Sequence, residues 1–117
     1  MQKIEFIKMH GLGNDFVIID RRKNSIPITE SLIIKLSDRK IGAGCDQVIT
    51  INSPKGKEDS IIDIFNSSCD KAEACWNGSR CVAKLLFMES NKISLNIMTD
   101  AGTLKATRKD EKNISVN

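Results

Sequence analysis

Two spacings of apolar residues run through this chain, one of period two and one of helical period, and they predict its elements. Ile93, Leu95 and Ile97 alternate with Ser94, Asn96 and Met98, the plainest strand signature present. Strands are also expected at Ile4 to Met9, Phe16 to Asp20, Gln47 to Asn52, Ile61 to Asn66, Thr103 to Thr107 and Asn113 to Val116. The second of these carries the unbroken apolar run FVII, the pattern of a strand buried on both faces. Leu32, Ile33 and Leu36 fall at helical spacing after Pro27 and Thr29, so a short helix over Glu30 to Ser37 with Thr29 as its N-cap is predicted. The segments HGLGN, DRKIGAGCDQ, SPKGKEDS and DAG are turns and loops.

From Cys81 to Met88 only Lys84 is polar, so a second helix there has almost no face suited to water and should be surrounded. With several short strands before and after it, the economical arrangement is α+β: a mixed β-sheet curled into a barrel around this central helix. On pattern alone, a helix lying across an open sheet remains the alternative.

At 117 residues the chain is expected to form a single domain, residues 1–117, able to bury a core without disulfides or metal. A composition of 40% hydrophobic and 28% charged residues argues against disorder. The net charge of +3 comes from dispersed residues without a run of like sign, and aromatics make up only 4%, so no nucleic-acid partner is expected. No apolar stretch has the length of a signal peptide or a membrane span, which predicts a cytoplasmic protein with no membrane partner. In that compartment Cys45, Cys69, Cys75 and Cys81 should be reduced thiols.

The segment EACWNGSRC, Glu73 to Cys81, carries the most chemistry. Asn77 and Gly78 favour irregular backbone, so Cys75 to Asn77 are expected to form the turn that enters the helix. Unpaired N–H groups at such an end attract anions, and a thiol that titrates near about 8.5 is made more acidic there. The same N–H groups could hold a carboxylate beside the sulfur, which suits chemistry at the adjoining carbon. A small, buried and inert cysteine is the other reading of Cys75.

Metal binding is not expected. Cys69, Cys75 and Cys81 are six residues apart, which on a helix or a strand prevents neighbours from sharing an ion, and His10 is the only histidine. The pairs Gly11 with Gly13 and Gly42 with Gly44 lack the third glycine and following helix of a dinucleotide site. Asn14, Gln47 and Asn66 each stand at a strand end where an amide could turn toward a shared cleft, although each taken singly is an ordinary turn former.

The blocks KMHGLGNDFVIID, SDRKIGAGCDQV, IFN ending at Asn66 and ACWNGSRC resemble, in order and spacing, the amino-terminal half of diaminopimelate epimerase. The resemblance covers essentially the whole chain. It implies one of two pseudo-symmetric halves, each a mixed sheet curled around a central helix. It also implies an enzyme, free of pyridoxal phosphate and metal, that interconverts LL- and meso-diaminopimelate for lysine and cell-wall synthesis. Two cysteines then face opposite sides of the substrate's α-carbon, one a thiolate base and the other a thiol acid, and Cys75 matches the first. Asn14, Gln47 and Asn66 match positions that contact this small amino-acid substrate, while Trp76 and Asn77 match the pair whose backbone N–H groups bind its carboxylate.

Besides Cys69 and Asp70, which replace the usual glycine and serine of their loop, the chain departs from the family pattern in two ways. It ends at Asn117, with no counterpart of the second cysteine-bearing half, and Trp76 stands where the family carries glycine. The expected partner is therefore the missing carboxy-terminal half or, through the apolar surface left bare, a second copy. The alternative is a truncated, non-catalytic remnant or binding module of the same fold.

Overall fold

The computed structural model describes residues 4–11, 13–72, 76–110 and 113–117. In chain order the elements are β1 (Ile7–His10), β2 (Asp15–Asp20), α1 (Glu30–Ser37), β3 (Gln47–Asn52), β4 (Ser60–Asn66), α2 (Trp76–Met88), β5 (Ser94–Thr99), β6 (Gly102–Arg108) and β7 (Ile114–Val116). The strands form a seven-stranded mixed sheet whose spatial order follows the chain. Two neighbouring pairs, β2 with β3 and β4 with β5, are parallel; the others are antiparallel.

Each parallel pair needs a crossover, and the two helices supply them. A right-handed crossover sets its helix on a face that depends on strand direction, and the antiparallel β3–β4 hairpin reverses that direction between the two units. The helices accordingly pack on opposite faces. Val17, Ile19 and Val48 turn toward Ile33 of α1, whereas Phe16, Ile18, Ile49, Ile51, Ile62 and Ile64 turn toward Val82, Ala83, Leu86 and Phe87 of α2. The FVII run lies in β2 with all four residues buried, because both of its faces carry a helix. Thr29 caps α1 as expected, its Oγ1 accepting from the Leu32 N–H at 3.2 Å.

The α+β class and the mixed sheet curled around α2 agree with the sequence expectation. In detail the curl is open: among the described residues β1 and β7 are the two edges of the sheet and are not paired with each other. The helix is enclosed except along one stripe, Trp76, Arg80, Lys84 and Met88, which are spaced by four and all exposed. It also starts earlier than expected, at Trp76, so Asn77 and Gly78 belong to its first turn. N–H groups in that turn lack intrahelical partners in any helix, which removes much of the usual cost of such residues. The β4–β5 ladder is short, with only Ser60↔Ile97 and Ile61↔Met98 in register.

Candidate functional site

Four of the expected substrate-binding residues converge on one end of the sheet. Gln47 opens β3, where it pairs with Phe16 of β2 and with Asn66 at the close of β4. Across that last pair Gln47 Nε2 donates to Asn66 Oδ1 at 3.0 Å. Asn14 lies two residues before Phe16, and its Oδ1 is 3.4 Å from Nδ2 of Asn77, a long hydrogen bond that joins the β1–β2 turn to the first turn of α2. All four side chains are half-buried.

Gly11 makes that junction possible. A Cβ there would lie 3.1 Å from Cβ of Asn77 and 3.2 Å from the Phe16 ring, so a side chain would push the helix start off the turn. The Gly11 N–H donates to the Asn14 carbonyl at 2.8 Å, which tightens the turn. His10 and Gly11 separate two cavities. One, of about 310 Å³, holds Asn14, Asp15, Arg39 and Asp46; the other, of about 580 Å³, runs beside α2 along Asn77, Arg80 and Lys84 to Ile114. A third, of about 620 Å³, walled by Phe6, Ile7, Ile18, Ile51 and Leu85, contains none of the sequence-predicted site residues.

Cys75 lies outside the described residues, as do Glu73 and Ala74. It immediately precedes Trp76, the first residue of α2. Trp76 is 52% exposed and stands on the outward stripe of the helix. The three other cysteines are Cys45 and Cys81, both buried, and Cys69, half-buried. Burial pushes the Cys45 thiol up, partly offset by its contact with the Ser37 hydroxyl at 3.8 Å. Cys81 directs its sulfur at the His10 carbonyl, 3.9 Å away. Among the described residues there is no group of three or more His, Cys, Asp or Glu side chains able to hold a metal, and no helix is long and apolar enough to cross a membrane.

The structure adds a charged cluster that the sequence reading passed over. Arg39 grips the Asp15 carboxylate through both terminal nitrogens at 2.9 Å, and its Nη2 lies 3.3 Å from Asp46 Oδ1. The two aspartates also accept each other's backbone N–H, Asp15 N to Asp46 Oδ2 at 3.0 Å and Asp46 N to Asp15 Oδ1 at 2.9 Å. Above all the Arg39 hydrogen bonds, then the Asp46 N–H, hold the Asp15 carboxyl well below the usual carboxylate range against the opposing effect of burial. The available signal was adjacency, since Asp15 follows Asn14 and Asp46 precedes Gln47 within the quoted blocks.

The architecture belongs to a class of folds built from mixed sheets curled around a helix. A methylitaconate-delta-isomerase crystal structure matches 95% of this chain and 62% of its own with a TM-score of 0.68 at 14% identity, a likeness of fold alone. Residues 6–117 match the family diaminopimelate epimerase, and the chain belongs to that family. Among its relatives, the diaminopimelate epimerase of Pelagibacter ubique is 47% identical over 104 residues, 88% of this chain and 37% of the relative. That of Zymomonas mobilis is 44% identical over 106 residues, 91% of this chain and 38% of the relative. The chain thus spans about two-fifths of the length of the curated relatives it matches.

Proposed function

We propose that this chain is the substrate-binding, first-base half of an epimerase that inverts an α-carbon of diaminopimelate, the step between LL and meso forms in lysine and peptidoglycan synthesis. The observation that carries the reading is the convergence of Asn14, Gln47, Asn66 and Asn77 on the sheet end from which α2 begins, with Cys75 the residue before that start. Orphan N–H groups of Trp76 and Asn77 take the substrate carboxylate, and the four amides fix the rest of the molecule. The Cys75 thiolate then removes the α-proton, the electron pair of the C–H bond delocalising into the carboxylate. A thiol on the opposite side, supplied by a second half, returns a proton to the other face. An α-proton of an amino acid is so weakly acidic that the step depends on preorganised donors meeting the developing charge. No cofactor enters this scheme.

The proposed partner is the carboxy-terminal half or, without it, a second copy of the chain. Phe6, Ile7, Trp76 and Met88 are between 41% and 75% exposed, large apolar side chains open to such a contact. The proposed setting is the cytoplasm, where the thiols stay reduced. Incubation with diaminopimelate in heavy water, with and without a family carboxy-terminal half, tests the reading. Deuterium at the α-carbon in the paired sample supports it. Substrate binding without exchange in either sample leaves the non-catalytic binding module instead, the reading that Trp76 at the carboxylate-binding end also suits.

A further inference from the structure

The amide groups of this site carry a question of orientation, because an asparagine can present either its oxygen or its nitrogen to a ligand and the two choices select opposite partners. At Asn14 the neighbourhood decides. Its Nδ2 lies 3.5 Å from Asp46 Oδ2 and its Oδ1 faces Nδ2 of Asn77. An ionised carboxylate only accepts, so Asp46 selects the NH₂ side of Asn14. A flipped amide would set two oxygens against each other.

Asp46 is itself held. Its Oδ2 accepts the Asp15 N–H, its Oδ1 meets Arg39, and its backbone N–H is bound by the Asp15 carboxylate and carbonyl. Arg39 and Lys8 offset the charge of the two carboxylates, Lys8 Nζ standing 3.8 Å from Asp15 Oδ2. The β1–β2 turn and the loop before β3 are thereby locked together around the cavity that Asn14, Asp15, Arg39 and Asp46 line.

We infer that Asp46, clamped by Arg39 and Asp15, is a positioning residue that fixes the Asn14 amide with its oxygen toward the start of α2, so that Asn14 offers the ligand a hydrogen-bond acceptor there. This rests on the proposed amino-acid site, and the donor class it names is an ammonium group. The carbonyl oxygen has a second lone pair, so the contact from Asn77 does not exhaust it.

Two measurements test this, and they can fail separately. In ¹⁵N-labelled chain, the Asn14 side-chain NH₂ signals, assigned by their loss in Asn14→Ala, should be shifted and slow to exchange, and should move to solvent-like values in Asp46→Asn. Unchanged signals in Asp46→Asn overturn the inference whether or not the protein is an epimerase. In the chain paired with a carboxy-terminal half, Asp46→Asn and Asn14→Ala should each raise the KM for diaminopimelate roughly tenfold or more, as loss of a hydrogen bond to a charged group does, with a smaller change in kcat. The double variant should be no worse than Asn14→Ala within about twofold, because Asp46 acts through Asn14. Multiplying effects would show that Asp46 serves stability alone and overturn the inference. Should Asp46→Asn fail to fold, Arg39→Gln, altering a side chain 56% exposed, loosens the same clamp and is expected to move the NH₂ signals in the same direction. If the paired wild type shows no α-exchange, the epimerase reading falls and the NH₂ signals still decide the role of Asp46.

Discussion

Replacing Gly42 by alanine should destabilise the protein sharply, although glycine-to-alanine changes in compatible backbone usually stabilise by about 0.4–1 kcal/mol through the unfolded chain. Gly42 packs against the end of α1. A Cβ there would lie 1.9 Å from the Lys35 carbonyl oxygen and 2.9 Å from that of Leu36, and both are backbone atoms that no rotamer change can move. The loop must lift by more than an ångström. That lift threatens the bonds from Gly42 N to Asp38 O at 2.9 Å, Gly44 N to Leu36 O at 2.9 Å and Cys45 N to Ser37 O at 3.2 Å. Overpacking costs about 1–3 kcal/mol and each lost bond about 1 kcal/mol, so a net loss of about 2–4 kcal/mol is expected. In a domain of this size that lowers Tm by roughly 8–16 °C. Urea and thermal unfolding followed by far-UV circular dichroism measure it, with Gly56→Ala as the control. There the added methyl meets only the flexible Glu58 carboxylate, at 3.3 Å, and the change should be near neutral. A Gly42→Ala protein within 0.5 kcal/mol of wild type would refute the packing argument.

Because the Asp15 carboxyl is held below its ordinary range, its contribution is fully present above the unfolded value of about 4 and is lost as pH falls toward the lowered one. Urea midpoints of wild type should therefore approach those of Asp15→Asn between about pH 4 and pH 2, and a constant gap across that range would contradict the clamp. Near neutral pH, Cys75 should be alkylated faster than buried Cys45 and Cys81 and half-buried Cys69; equal rates by mass spectrometry would count against helix-end activation. Thr29→Ala should cost about 1 kcal/mol in chemical unfolding through loss of the α1 cap, and no loss would mean that the bond to Leu32 contributes nothing.

Elements whose burial follows from local pattern were legible in the sequence. FVII declared a strand covered on both faces, and Thr29 declared the start of α1, because each signal resides in adjacent residues. The start of α2 was less legible, since Asn77 and Gly78 read as turn formers and only the surrounding sheet makes them worth coiling into a first turn. Its exposed stripe was hidden because Trp76 and Met88 are apolar yet face outward. The amides could be placed at strand ends, but the partnership of Gln47 with Asn66 depends on β3–β4 register, and that of Asn14 with Asn77 on two segments 63 residues apart. The Asp15, Arg39 and Asp46 cluster had no periodic signal at all. It arises where two loops meet, and loop approach is set by the whole sheet.

The short β4–β5 ladder makes the molecule a folded card with a crease. Asn14, Gln47 and Asn66 sit on the leaf formed by β1 to β4, whereas Asn77 stands on α2, whose backbone lies near β6 and β7 while its side chains pack on both leaves. Main-chain pairing across that crease is sparse, and α2 makes up for it, because Val82, Ala83, Leu86 and Phe87 share one core with Phe16, Ile18, Ile49, Ile51, Ile62 and Ile64 of the first leaf and with Leu95, Ile97 and Ala106 of the second. The helix is thus the spine of the card, and the angle between the leaves, with the Asn14–Asn77 contact at its end, is set by side-chain packing where backbone stitching is thinnest.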